Sequence, residues 1–271
     1  MVKIITKKSL VFILILLSIT SIYCEENNEY LYKNTLAPKS QYSIPITKDE
    51  SLKLTAMSSV AGKKFSGRFL YKRKDELLER NINMSFDISV LKTISDMNTW
   101  FDDELNAIKR GRVIPLRLTI EKDNNTIGHI YLSMNHLKDE KPGFKLKWIE
   151  ISNEIEEEGR GKGKGYGKIA YALLKLFILS RGGNSYTIES DFGLTSEAEF
   201  SKRIFEQTFN VEHNNPFAGL DIEFFDAAGT KTTGEFSSLT ANIIATPEII
   251  KALNTSGVMG FANNNIFQTS S

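Results

Sequence analysis

From Glu156 to Leu174 the chain reads EEEGRGKGKGYGKIAYALL, and four glycines at alternate positions, Gly161, Gly163, Gly165 and Gly167, run straight into an apolar segment of helical period. A glycine-rich turn that feeds a helix N-terminus is a ready-made anion site. Backbone N–H groups unshielded by Cβ atoms point at the ligand, and the helix dipole adds partial positive charge. The ligand that suits such a turn is a phosphate or pyrophosphate. The junction also constrains the architecture, because a strand-like segment, Phe144 to Ile155, precedes it and another, Ser185 to Phe192, follows the helix. Strand, crossover helix and strand make the two strands parallel neighbours in one sheet.

The rest of the chain supplies further elements. Ser51–Met57 and Phe65–Tyr71 alternate like an early hairpin. Between Asp87 and Ile108, apolar residues at three- and four-residue spacing (Ile88, Leu91, Ile94, Trp100, Phe101, Leu105, Ile108) describe one broken helix or two short ones. Ile114–Glu121 and Thr126–Met134 are strands joined by the turn Asp123–Asn125. Gly182 and Gly183 stop the helix that buries Ile169, Ala170, Leu173, Leu174 and Phe177. Ser196 and Glu199 form a capping box for a helix that buries Phe200, Ile204 and Phe205. Leu220–Asp226 is a strand, and Thr246 and Pro247 open a last helix ending near Asn254.

At the N-terminus, Lys3, Lys7 and Lys8 precede the apolar run Leu10–Tyr23, whose length is that of a signal-peptide core. Residues 1–24 therefore read as a cleaved secretory signal, with an uncleaved membrane tether through residues 10–23 or a lipoprotein signal ending at Cys24 as alternatives. Either route places the mature chain outside the cytosol. Residues 25–50 read as a flexible tether, 51–254 as the folded domain and 255–271 as a polar tail. Setting aside the three leader lysines leaves 31 of the 34 basic residues against 33 acidic ones, about −2. No long-range attraction to nucleic acid follows, which argues against a binder of phosphate-rich polymers. One cysteine and three dispersed histidines, His129, His136 and His213, offer neither a disulfide framework nor a metal site.

Two familiar phosphate loops do not fit. Gly167-Lys168 is followed by Ile169 rather than Ser or Thr, and no phase of the glycines supplies Gly-x-Gly-x-x-Gly. The order of elements, the segment Ile155…Arg160-Gly161-Lys162-Gly163-Lys164-Gly165 and the downstream Ser201-Lys202-Arg203-Ile204-Phe205-Glu206-Gln207 together resemble the GNAT superfamily of acyl-CoA-dependent N-acyltransferases. Read two residues later, Lys162-Gly163-Lys164-Gly165-Tyr166-Gly167 fits the second half of the acyl-CoA motif better, and both phases stay open. The resemblance covers about residues 145–210 by motif and 85–226 by element order.

It implies an α/β fold: a mixed, mostly antiparallel twisted sheet with helices on both faces and a central parallel strand pair. It further implies acetyl-CoA as co-substrate, a primary amine (protein lysine or small amine) as acceptor, and a cofactor site formed by Ile155 and Arg160 to Lys168, in which Arg160 to Lys168, including Gly165, Tyr166 and Gly167, hold the pyrophosphate. The alternative is a non-catalytic extracytoplasmic binding module on the same fold.

Amide-forming transfer from a thioester needs a proton acceptor for the amine. Period two along Phe144–Ile155 puts Glu150 on one face with Leu146, Trp148, Ser152 and Glu154, so its carboxylate is expected to be partly desolvated and its pKa raised. The plain alternative is a solvated face, and Glu189 on the next strand competes for the role. Where the family places a tyrosine as proton donor this chain has Phe205, which cannot donate. Glu156, Glu157 and Glu158 face solvent or recruit a basic substrate, and Trp148, Phe200, Phe205 and Phe209 are expected in the core.

Overall fold

A computed structural model describes residues 44–45, 52–60, 63–72, 77–97, 100–135, 143–151, 165–183, 185–193, 196–212, 221–225, 231–235 and 237–261. The strands in chain order are β1 (Ile44–Pro45), β2 (Leu52–Val60), β3 (Lys64–Tyr71), β4 (Arg80–Val90), β5 (Val113–Lys122), β6 (Asn125–Asn135) and β7 (Gly143–Ile151). They continue with β8 (Ser185–Phe192), β9 (Asn210–Glu212), β10 (Asp221–Phe225), β11 (Lys231–Glu235) and β12 (Ser237–Ile244). The helices are α1 (Ile94–Met97), a 3-10 turn (Asp102–Glu104) leading into α2 (Leu105–Lys109), α3 (Tyr166–Leu179), α4 (Ser196–Thr208) and α5 (Pro247–Thr255).

Ten strands form one sheet in the order β1-β2-β3-β4-β5-β6-β7-β8-β12-β9, with β10 and β11 paired apart from it. Every pair in the large sheet is antiparallel except β7 with β8. This is the GNAT-like α/β order expected above, with its central parallel pair. Local chemistry explains the joins. Asp123 and Asn124 take φ of 50° and 67° between β5 and β6, the left-handed pair that closes a two-residue hairpin. Thr246 caps α5, its hydroxyl accepting from the Ile249 amide at 3.4 Å, with Pro247 in the first turn.

One face of the sheet carries Phe65, Phe69, Phe86, Leu118, Ile130, Leu132 and Phe144, all buried under α3, α4 and α5. α3 is apolar nearly all round, and Ile169–Leu174 and Leu176–Leu179 are buried along it. Fully burying side chains of this size is worth about 1.5–3 kcal/mol each, which overrides any weakness of a glycine-led start. The other face is covered by α1, the 3-10 turn and α2, where Leu91, Met97 and Phe101 pack with Trp100 and Tyr131. Among the described residues no helix is long and apolar enough to cross a membrane.

Three expectations need correction. Asp87–Val90 belongs to β4, whose Ile82, Met84, Phe86 and Ile88 alternate into the core, so Ile88 ends a run of period two, paired with Leu118 of β5, rather than opening a helix. Phe200 is 62% exposed, because α4 turns Ile204 and Phe205 inward and leaves Phe200 on its outer side. Residues 255–261, expected in the polar tail, are part of the folded unit, since Val258 and Phe261 are buried in the main core.

Candidate active site

The parallel pair is brief. Gly143–Leu146 of β7 pair with Thr187–Ser190 of β8, and beyond Leu146 the two strands part, so Lys147–Ile151 have no β8 partner. The last contact is sealed by the Ser190 hydroxyl, which donates to the Leu146 carbonyl at 3.3 Å. On its other edge β7 stays with β6 but changes phase: Leu146 faces Leu132 while Trp148 faces Tyr131, leaving Lys147 as an extra residue in a β-bulge. The core face of β7 accordingly passes from Phe144 and Leu146 to Ile149 and Ile151. Past the bulge β7 presses so closely on β6 that a Cβ on Gly128 would lie 2.0 Å from the Glu150 carbonyl oxygen.

The mouth of this gap is the N-terminus of α3. Gly165 takes φ +83° at the N-cap, where a Cβ would lie 2.3 Å from the Tyr71 ring. Among the described residues no side chain caps the helix there, and its first turn holds no acidic residue. Gly167 leaves room instead: a Cβ on it would sit 3.5 Å from Ile204 and 3.9 Å from Ile151, so the end of β7, the start of α3 and α4 meet around it. Lys122 lies over the Tyr166 ring at 5.4 Å and ion-pairs with Asp123 at 3.3 Å. Of the expected phosphate-binding residues, the structure gathers Gly165, Tyr166, Gly167 and Lys168 here. Ile155, Arg160, Gly161, Lys162, Gly163 and Lys164 lie outside the described residues, as do Ser152, Glu154 and Glu156–Glu158.

The bulge also moves the candidate base. Trp148 and Glu150 stand on the face opposite Leu146, towards the short helices, and Glu150 is exposed rather than desolvated. Trp148 is 44% exposed and stacks on Trp100 at 4.6 Å, so it is a half-open platform rather than core. Glu150 is the register partner of His129. Burial, then the neighbouring Arg117, pushes the His129 pKa down against the pull of Glu150, which favours a neutral imidazole. Glu189 is exposed and in register with Lys145.

Residues that the sequence reading passed over dominate this face. The Lys147 ammonium, on a side chain only 7% exposed, donates to both Asp103 oxygens at 2.7 and 2.8 Å and lies 3.3 Å from Glu104. Lys145 bridges Asp103 at 3.5 Å and Asp191 of β8 at 3.4 Å. Burial opposes ionisation of Asp103, but the hydrogen bonds and charges of Lys147 and Lys145 outweigh it and hold the carboxyl below its usual range. The sequence held no local signal for them, because lysines alternating with Phe144 and Leu146 are the ordinary pattern of a half-exposed strand.

Downstream, Phe205 is fully buried among Phe192, Tyr171 and Phe209, with ring centroids 5.5, 6.3 and 4.9 Å away. Phe209 is likewise core. The nearby hydroxyl is that of Tyr171, 2.6 Å from Ser201 Oγ, and burial pushes its pKa up, so it stays protonated. Among the described residues no three His, Cys, Asp or Glu converge on a metal site. Chemically, a strand edge that has no ladder partner among the described residues, leading to a helix N-terminus that none of their side chains caps, can hold an extended polar chain that ends in an anion.

No family model and no curated protein matches this chain. Among solved structures it is similar to one from Desulfovibrio desulfuricans assigned as a GNAT-family acetyltransferase, at 12% identity, covering 59% of this chain and 98% of that one with a TM-score of 0.34. It is similar to a Bacillus subtilis acetyltransferase in complex with CoA at 15% identity, over 59% and 99% of the two chains, TM-score 0.32. A Campylobacter jejuni N-acetyltransferase in complex with acetyl coenzyme A gives 11% identity, 59% and 99% coverage and a TM-score of 0.30. These likenesses concern the course of the chain alone.

Proposed function

We propose that this chain is an acetyl-CoA-dependent N-acetyltransferase acting on a primary amine, with a protein lysine or a small amine as acceptor. The observation that carries the reading is the parting of β7 from β8 at a bulge, with the uncapped N-terminus of α3 at its mouth. The described residues fit the co-substrate. The amides of Tyr166, Gly167 and Lys168 suit its pyrophosphate, and the unpaired edge Lys147–Ile151 suits the amide-bearing arm. Hydrogen bonds to charged groups contribute about 1.5–3 kcal/mol each, so three amides approach the roughly 8 kcal/mol of micromolar affinity before ordering costs. When bound, acetyl-CoA supplies an acyl carbon activated as a thioester. The chain's own part is to take the proton of the acceptor ammonium, a role for Glu150 with Glu189 as competitor, and to exclude water with Phe192, Ile204 and Phe205. Export by residues 1–24 completes the proposal.

The burial of Phe205 in an apolar cluster favours a second reading, a binding module that holds the nucleotide without turnover. Calorimetric titration of acetyl-CoA into the full chain, beside Gly167→Asp, tests both. Asp fits sterically at 167 and suits a helix N-terminus, so the variant folds while its charge repels a pyrophosphate. Micromolar binding weakened at least about tenfold by Gly167→Asp, with transfer to an amine, supports the enzyme. Binding without transfer to any amine supports the module, and no binding at millimolar acetyl-CoA sinks both.

A further inference from the structure

The apolar pattern selects the register of β7, because Ile149 and Ile151 reach the core only if one residue is looped out. It does not fix the backbone of the looped-out residue. That residue is Lys147, and its side chain makes the tightest ion contacts at the gap. Both partners, Asp103 and Glu104, come from the 3-10 turn on the opposite face from the core. Glu104 is itself held, since Ser133 of β6 donates to its Oε1 at 3.2 Å, the same oxygen that lies 3.3 Å from Lys147. The turn is therefore tied to both strands that define the bulge. Lys145 extends the tie to Asp191, one residue beyond the last paired position of β8. The closed end of the gap is thus pinned from one side, by five charged residues on three elements, with Ser133 of β6 joining through its hydroxyl.

We propose that Lys147 is a positioning residue: through Asp103 and Glu104 it fixes the bulge of β7, and so aims the unpaired edge that follows it, Trp148 to Ile151, into the gap between β7 and β8. Its catalytic consequence rests on the acetyltransferase reading, whereas its structural consequence does not. Lys147 touches no reacting atom in this scheme. Its loss should therefore disturb the reacting end of a bound thioester more than the pyrophosphate, which lies at the far end of the gap against α3.

The test uses the full chain and Lys147→Met, which keeps the aliphatic stem but not the charge, beside Lys147→Arg, Asp103→Asn and the double variant Lys147→Met/Asp103→Asn. Backbone hydrogen exchange over residues 143–151 is read first. In Lys147→Met, exchange at 148–151 should rise at least about tenfold while β3–β5 keep their rates, with Lys147→Arg restoring most of the protection. The double variant should lose clearly less than the sum of the two single variants, because the Lys147–Asp103 contact is removed in both. With acetyl-CoA and an amine, kcat should fall about tenfold while CoA affinity changes less than about twofold. Unchanged exchange at 148–151, a uniform rise across the sheet, or additive effects in the double variant would overturn the proposal. Absence of transfer in the wild-type chain would instead overturn the acetyltransferase reading, leaving the exchange result to decide on Lys147.

Discussion

Gly165 offers the sharpest quantitative check on how the start of α3 is built. An alanine there meets two separate penalties. The left-handed φ of +83° costs an L-residue about 1–2 kcal/mol. The new methyl would lie 2.3, 2.4 and 2.7 Å from Tyr71 Cε1, Cζ and Oη, and forcing extra volume against a buried ring costs about 1–3 kcal/mol. Tyr71 is only 7% exposed and has the Arg80 guanidinium 5.4 Å from its centroid, so it cannot simply swing into solvent. Together Gly165→Ala should lose about 2–5 kcal/mol, a fall in Tm of roughly 5–15 °C for a domain of this size. In a Tyr71→Ala background the steric part disappears, leaving about 1–2 kcal/mol. Thermal and denaturant melts of the four chains in this cycle give the coupling directly. A loss under about 1 kcal/mol, or the same loss with and without the Tyr71 ring, would refute the account of Gly165 as a residue wedged beneath β3.

Three further outcomes are expected. Gly128→Ala should cost at least about 3 kcal/mol in denaturant unfolding, because the atom it meets at 2.0 Å is backbone; Gly111→Ala, with nothing within 4 Å, should cost only about 1 kcal/mol for its φ of +67°. Phe205→Tyr should destabilise by about 1–3 kcal/mol, since its hydroxyl enters a shell of aromatic rings; a neutral effect on the melt would mean that a polar partner reaches that position. Stability should fall as pH drops from about 6.5 towards 5. The folded pKa of His129 is depressed, mainly by burial, so in this window the unfolded chain binds more protons; His129→Gln should flatten that part of the pH–stability curve.

The strands of the middle of the chain were legible because turns and periods agree there. Asp123-Asn124 between two alternating segments could only be a hairpin, and Ser185–Phe192 was bounded to the residue. β12 was missed although Leu239, Ala241 and Ile243 alternate, because its turn signals are weak and its partner, β8, lies about fifty residues back. The bulge explains the error at the site. Period two was extended through Lys147 as if β7 were regular, which grouped Glu150 with Leu146 when the extra residue puts them on opposite faces. A bulge leaves no mark in apolar periodicity until the residues beyond it are seen to change phase, and here only Ile149 and Ile151 carry that change. The ion network was illegible for a different reason: Asp103 and Glu104 stand some forty residues from the lysines that they meet.

The shortness of the parallel seam bears on how the molecule assembles and how it yields to force. β1 to β7 pair each with the next in chain order, so this part can zip up through local hairpins, whereas β8, β12 and β9 must be brought back from far along the chain. The two portions share only four residue pairs of parallel ladder. What bridges them is α3, which packs on β3 and β4 to one side and on β8 and β12 to the other. Docking of this helix is therefore the step that makes the sheet one cooperative unit, and a chain stretched from its ends would tear along the β7–β8 line once the helix lets go.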